Sequence, residues 1–213
     1  MLPIYEILPE LKQTLRAGAS VVVSAPTGSG KSTQVPQMLL DHGLAGPGAI
    51  VVLQPRRIAA RMLAARVASE RRAELGREVG YQVRFESRCG RQTRIKFETD
   101  GILLRQMVSD PQLSGVSAIL FDEFHERHLY ADVMLCLARA LQRTTRPDLK
   151  LVVMSATLDV KRISAYLGDA AVVESSGRMH PVSMEYLRKP LDPERDPVWA
   201  IAAEEFARLA DGH

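Results

Sequence analysis

The sequence predicts an α/β fold: a mostly parallel sheet with helices on both faces. Three observations carry that expectation. Short apolar runs alternate with longer segments whose apolar residues recur every three or four positions. The runs are apolar throughout, as strands buried on both faces are. The first run also leads straight into a loop holding Gly28 and Gly30, followed by a lysine and two hydroxyls. In open parallel sheets, ligands gather at such carboxyl ends of strands.

Taken in order, the expected strands are SVVVSA (20–25), AIVVLQ (49–54), RIKFET (94–99), AILFDE (118–123) and KLVVMSA (150–156). AVVE (171–174) is a weaker sixth, and VSMEYL (182–187) alternates as a later or edge strand does. KSTQVPQMLLDHG, RRIAARMLAARVASERRAELG, GILLRQMVSD and ADVMLCLARALQRTT lie between strands and have helical period. Two of these end in glycine, a common helix stop. Strand-helix alternation of this kind argues a parallel sheet covered on both faces. The C-terminal stretch breaks the pattern. RKPLDPERDP (188–197) sets three prolines among charges and reads as a linker, and VWAIAAEEFARLADGH reads as one amphipathic helix. Residues 1–187 are expected to form one domain, and 188–213 a linker and the first helix of a truncated second one.

The totals narrow the function classes. The 213 residues are 46% hydrophobic, enough to bury a sizeable core. Net charge is only +3, but between Gln54 and Arg105 there are 13 Lys and Arg against 6 Asp and Glu, with 15 against 19 elsewhere. A basic segment suits a polyanion, although a solvated helix face has the same composition. Cys89 and Cys136 are isolated, with no His or Cys at ligand spacing, which argues against a disulfide framework or zinc site and fits a reducing cytoplasm. No apolar stretch approaches the ~20 residues of a membrane span. The acidic N-terminus lacks the basic start of a signal peptide.

The loop after the first strand carries the chemistry. Gly28-Ser29-Gly30-Lys31-Ser32 matches the last five positions of the phosphate-binding pattern G-x-x-x-x-G-K-[ST], with Ala25 at the first glycine. Glycines let backbone N–H groups turn towards a phosphate, and the helix starting near Lys31 adds its positive end. Lys31 then reaches the β- and γ-phosphates, and the Ser32 hydroxyl suits Mg²⁺. The plainer alternative is a flexible turn with a solvated lysine. A second site half should be an acid at another strand end, and AILFDEFHER supplies it. Asp122 is placed for Mg²⁺, through water, and Glu123 to orient or deprotonate the water that attacks the γ-phosphate. Two such acids can also be a simple helix N-terminal pair. Together the halves point to hydrolysis of a nucleoside triphosphate.

APTGSGKST, QPRRIAA, GYQVRFE, TDG, DEFHER and SAT occur in this order. In that order they resemble the first RecA-like domain of DEAH-box/RHA helicases, from about Ile4 to Tyr186. DEFH in place of DEAH is similar to the bacterial HrpB-type branch. The resemblance implies a RecA-like P-loop NTPase domain using ATP, or other nucleoside triphosphates, with Mg²⁺. It implies nucleotide contacts from Ala25, Pro26, Thr27, Gly28, Ser29, Gly30, Lys31, Ser32 and Thr33, and metal contacts from Ser32, Asp122 and Glu123. His125 would link the ATP site to the nucleic-acid motifs. Ser155, Ala156 and Thr157 would couple hydrolysis to domain movement. Gln54, Pro55, Arg56 and Arg57, with the turn Thr99-Asp100-Gly101, would grip single-stranded RNA, with DNA as the alternative. Arg66 would lie against the adenine ring.

Physical sense agrees. Gln54 and Thr99 each close an expected strand, and a guanidinium suits both a phosphate oxygen pair and the face of a purine. Grip on phosphate and sugar would make binding nearly blind to sequence and sensitive to salt. Arg56 and Arg57 can equally be a solvated helix start, and His42, His128, His180 and His213 receive no role. Phe124 replaces the family's usual alanine. The family's second RecA-like domain, which carries the arginines that complete the γ-phosphate site, is expected in the full-length chain as a partner. The family moves 3′ to 5′ on single strands. The rival readings are a P-loop ATPase for protein remodelling or transport, and a non-catalytic nucleotide or RNA scaffold.

Overall fold

A computed structural model describes residues 2–156, 160–177, 184, 186–187, 191–192 and 194–210. The chain divides into two compact units, Met1–Arg178 and Met179–His213.

The first unit is an eight-stranded sheet. Its strands are β1 (Ser20–Ser24), β2 (Ala49–Gln54), β3 (Val79–Val83), β4 (Glu86–Arg88), β5 (Ile95–Thr99), β6 (Val116–Phe121), β7 (Lys150–Ser155) and β8 (Ala171–Glu174). They lie in the order β4-β3-β5-β2-β6-β7-β1-β8. Only the β3–β4 pair is antiparallel, so the expected parallel sheet is present with one hairpin at its edge. The helices are α1 (Leu8–Ala17), α2 (Lys31–Asp41), α3 (Arg57–Glu70), α4 (Asp100–Ser109), α5 (Leu129–Thr144) and α6 (Val160–Tyr166), after a 3-10 turn over Pro3–Ile7.

Period-two alternation sorts the strand residues between two cores. Val21, Val23, Ile50, Val52, Leu120 and Met154 face α1, α2 and α3, meeting Leu11, Val35, Leu39, Ala64 and Val67. Val22, Val51, Leu53, Ile119, Phe121 and Val153 face the other way, with Leu103 of α4, Met134 and Ala138 of α5 and Ile163 of α6. A strand covered on both sides has no polar face to show, and this is why the runs read as uniformly apolar.

The sequence reading misses four elements. The β3–β4 hairpin lies at the sheet edge, where Arg84, Glu86 and Arg88 interrupt any apolar signal. The N-terminal helix α1 and the short α6 also had no counterpart. Helix α3, expected to reach residue 76, ends at Glu70. Arg71 is drawn away to Glu78 (2.6 Å) and Asp41 (2.9 Å), and Arg72 enters the left-handed region at φ 52°. The strand expected over 182–187 and much of the expected linker fall outside the described residues. In the second unit, α7 (Val198–Ala210) forms as the C-terminal periodicity predicts, with Trp199 and Phe206 exposed.

Glu98 on β5 is fully buried, and both its oxygens accept the Gln106 amide at 3.0 Å. Burial raises its pKa above the ordinary carboxylate value, while Gln106 and Lys96 pull it partly back. A carboxyl raised in the folded state stabilises the fold fully below its unfolded pKa, and that contribution is lost as pH rises through the folded value. Glu98→Gln is therefore expected to melt above wild type at neutral pH, with the gap closing towards about pH 4.5. A gap that stays constant over this range in thermal unfolding would contradict this.

Candidate functional site

The sheet order sets where the loops meet. β7 lies between β1, which feeds the glycine loop, and β6, which feeds the acids. The Ala25 amide donates to Ser155 O (3.0 Å) and the Asp122 amide to Leu53 O (3.2 Å), which fastens both loops to neighbouring strand ends. In the glycine loop, Gly28 and Gly30 have φ of 79° and 97°. A Cβ on Gly30 would come within 3.0 Å of Leu2 and 3.3 Å of Ile4, whereas Gly28 faces open space. Ile4 N donates to Ser29 O at 3.3 Å, and Ser29 Oγ is buried without a hydrogen-bond partner. Helix α2 begins at Lys31, with Gly30 as its left-handed N-cap.

Lys31 is only 3% exposed, and its Nζ stands 3.2 Å from Glu123 Oε1. Asp122 beside it is buried, with Oδ2 accepting the Gln54 amide (2.5 Å) and Oδ1 accepting the Glu123 N–H (2.9 Å). Burial pushes the Asp122 pKa up and the Glu123 charge adds to this, while hydrogen bonds from Ser32 and Gln54 and the Lys31 charge lower it. Ser32 therefore lies against Asp122 across the two loops. Glu123 itself has φ 50°, an uncommon value for a residue with a side chain, and so does Arg127 at the far end of the 3-10 turn Phe124–Glu126. The turn aims the Glu123 carboxylate back at Lys31 and His125. His125 Nδ1 accepts the Ala156 N–H at 3.4 Å, which leaves the ring proton on Nε2, 3.1 Å from Glu123 Oε2. Phe124 is buried edge-on to Phe121, with ring centroids 6.1 Å apart and Arg127 over its outer face. Its bulk fills the core beneath the turn and stays out of the charged cluster.

Mg²⁺ with a polyphosphate fits these residues. Mg²⁺ is usually held by one or two carboxylates, waters and substrate phosphates rather than by an all-protein cage. Here a buried Asp122 lies against a hydroxyl, and no group of three or more His, Cys, Asp or Glu suited to a metal occurs among the described residues. The glycine loop, the buried Ser29 hydroxyl and the start of α2 offer donors on the same side.

The strand-end residues lie along the same edge. Arg56 is 71% exposed and pairs with Glu126 at 2.8 Å, and Arg57 opens α3, exposed. Thr99 is the N-cap of α4, and Asp100 is half-buried, its pKa raised by burial and lowered by His128. Gly101 is exposed, with no atom within 4 Å of where a Cβ would be, so a ligand has room to approach its backbone. Gln54 departs from the expectation that it grips nucleic acid: its side chain is 2% exposed and turned inward on Asp122. Closing the buried strand β2 leaves it no path to the surface, and it ties the basic strand end to the acid. Ser155 is buried and Ala156 holds His125, while Thr157 lies outside the described residues. Arg66 is exposed on α3 and bonded through Nε to Glu70 Oε1 at 2.6 Å.

The sequence reading gave no role to the β3–β4 tip. Phe85 is 90% exposed at φ 70°, with the Arg84 guanidinium 4.7 Å from its ring. The tip follows the carboxyl end of β3, which runs parallel to β5 and so ends on the same edge as Gln54 and Thr99. GYQVRFE already carried the signal, an aromatic next to arginine between short alternating runs.

A family model described as DEAD/DEAH box helicase matches residues 6–165. The chain belongs to the DEAD/DEAH box helicase family. It is similar to the ATP-dependent RNA helicase HrpB of Escherichia coli (strain K12), with 44% identity over 99% of this chain and 26% of that protein. It is also similar to the human ATP-dependent RNA helicase DHX33, with 44% identity over 89% of this chain and 27% of that protein. Among solved structures, the crystal structure of the Escherichia coli DEAH/RHA helicase HrpB superposes with a TM-score of 0.89, over 98% of this chain and 27% of that one. The chain thus spans about a quarter of the length of these relatives, and the RecA-like fold that the motifs implied is present. No helix among the described residues is long and apolar enough to cross a membrane.

The loop geometry makes a stability prediction. An alanine at a left-handed position costs about 1 kcal/mol in backbone strain, and at Gly30 contact with Leu2 and Ile4 adds to it. In urea denaturation, Gly30→Ala is expected to lose more stability than Gly28→Ala, by up to about 2 kcal/mol in total. Equal losses would mean that the N-terminal turn does not press on the loop.

Proposed function

We propose that this chain is the ATP-binding motor domain of an RNA helicase that couples nucleoside-triphosphate hydrolysis to 3′–5′ movement on single strands. The observation that carries the proposal is the cluster Lys31, Ser32, Asp122, Glu123 and His125, joined through Gln54 to the strand end that presents Arg56 and Arg57. In this reading the triphosphate lies along the loop from Ala25 to Thr33, and Lys31 exchanges Glu123 for the terminal phosphates. Mg²⁺, when bound, neutralises charge building up between the β- and γ-phosphates. Ser32 and Asp122 would hold it, with Glu123 beside them. Glu123, freed from Lys31 and still bonded to His125, takes the proton of the attacking water.

The RNA backbone lies along the carboxyl edge, on Arg56, Arg57, the Pro55 backbone and the Thr99-Asp100-Gly101 turn, with Arg84 and Phe85 extending the track. The exposed Arg56–Glu126 pair is worth little in water and yields readily to a phosphate. Arg66 faces the purine. The exit through Ser155, Ala156 and Thr157 passes the state of the nucleotide towards a second RecA-like domain, whose first helix begins within 188–213. Relatives about four times as long support that partner. The longer protein works in the cytoplasm.

The second domain supplies the arginines of the γ-phosphate site, and such a residue is worth on the order of 10³–10⁵ in rate. The 213-residue chain is accordingly expected to bind nucleotide weakly, to hydrolyse it slowly and not to unwind a duplex. A single-turnover rate equal to that of the two-domain protein would contradict this. In the longer protein, Glu123→Gln is expected to abolish turnover while keeping ATP binding, and Arg56→Ala to lose RNA stimulation while keeping the basal rate. Wild-type stimulation by RNA should also fall steeply between about 50 and 200 mM salt. An ATPase indifferent to RNA, to Arg56 and to salt would point instead to a protein-remodelling motor.

A further inference from the structure

Arg66 sits on an exposed face of α3, and an isolated Arg–Glu pair four residues apart on a helix contributes only about 0.3–0.5 kcal/mol. Its partner is not an ordinary surface acid. Glu70 Oε1 accepts the Arg66 Nε–H at 2.6 Å, while Oε2 accepts two amides, Gln34 Nε2 at 2.8 Å and Gln37 Nε2 at 2.9 Å. Both glutamines are buried on α2, the helix that begins at Lys31. Gln34 is held in turn, its Oε1 accepting the Tyr5 hydroxyl at 2.6 Å and its Nε2 touching Thr33 Oγ1 at 3.1 Å. The polar chain Tyr5–Gln34–Glu70–Arg66 thus runs from the N-terminal 3-10 turn over α2 to α3.

We infer that Glu70, clamped by Gln34 and Gln37, is a positioning residue that holds the Arg66 guanidinium in the plane a nucleotide base requires. This rests on the reading of Arg66 as the purine contact. Gripped at Nε, the guanidinium loses the freedom of its last side-chain torsions and keeps a flat face for stacking. Less conformational entropy is then lost when a base arrives. Burial raises the pKa of Glu70, yet hydrogen bonds from Gln34, Arg66 and Gln37 carry it below the ordinary value, so the carboxylate stays charged at neutral pH. Because the clamp stands on α2, one rigid element sets the phosphate end of the ligand and, through Glu70, its base end.

The test compares a ligand that has a base with one that lacks it. Dissociation constants of MgADP and magnesium pyrophosphate are measured by calorimetry on the 213-residue chain, for wild type, Glu70→Gln, Arg66→Ala and the double variant. Glu70→Gln is expected to weaken MgADP roughly three- to tenfold, the scale of one lost charge-assisted hydrogen bond at a half-exposed site, and to leave pyrophosphate unchanged. In the Arg66→Ala background it should have no further effect. Weakening of both ligands alike would assign Glu70 to the support of α2 and overturn the inference. MgADP affinity that falls in Arg66→Ala but not in Glu70→Gln would also overturn it, while leaving Arg66 as the base contact. Were Arg66→Ala itself without effect on MgADP, the purine reading would fall, and the inference with it.

Discussion

A buried lysine needs an anion. Lys31 is nearly sealed from water at the start of α2 and finds Glu123 at 3.2 Å. Removing the Glu123 charge alone would leave the Lys31 ammonium buried without its partner, a loss that costs several kcal/mol in a protein interior. The rest of the first unit keeps this arrangement in place. β7 separates β1 from β6 by one strand, the two loops are fastened to strand ends, and a turn bounded by two left-handed residues aims the carboxylate. In the proposed function this pair exchanges: a polyphosphate would offer the lysine a more highly charged anion and would release the acid to act as a base.

The phosphate loop is braced from outside as well. Ile4 N reaches Ser29 O, and Leu2 and Ile4 stand against Gly30. Glu6 Oε1 accepts the Ser175 hydroxyl at 2.8 Å and the Ser176 amide at 2.7 Å, while Gly177 approaches Pro26 so closely that a Cβ there would lie 2.7 Å from its ring. The first turn of the chain and the segment leaving β8 therefore meet around the loop. A loop that must present backbone amides to a ligand gains from this, since order imposed beforehand need not be imposed on binding.

Much of this was legible in the sequence, for physical reasons. Strands buried on both faces have to be apolar throughout, so β1, β2, β5, β6 and β7 were visible as runs. The glycine loop was visible because left-handed backbone and phosphate contact demand a narrow choice of residues. The β3–β4 hairpin was not, since an edge strand with one solvated side mixes Arg84, Glu86 and Arg88 into its pattern. The inward turn of Gln54 was hidden too: a strand-end glutamine reads the same whether it faces solvent or an acid on the next strand. The clamp on Glu70 depends on α2 packing beside α3, a contact that no local spacing reports. Helix α3 stopped early because Arg71 found Glu78 and Asp41 across space, and that too is absent from local pattern.

The central claim is that Lys31 and Asp122 act on one bound magnesium polyphosphate. A double-mutant cycle on MgADP affinity, with Lys31→Ala, Asp122→Asn and both together, addresses it most directly. Each single change should weaken binding, and the double variant should lose far less than the product of the two losses, because the contacts share one ligand and one metal. Losses that multiply independently, or an Asp122→Asn protein that binds MgADP like wild type, would contradict the account.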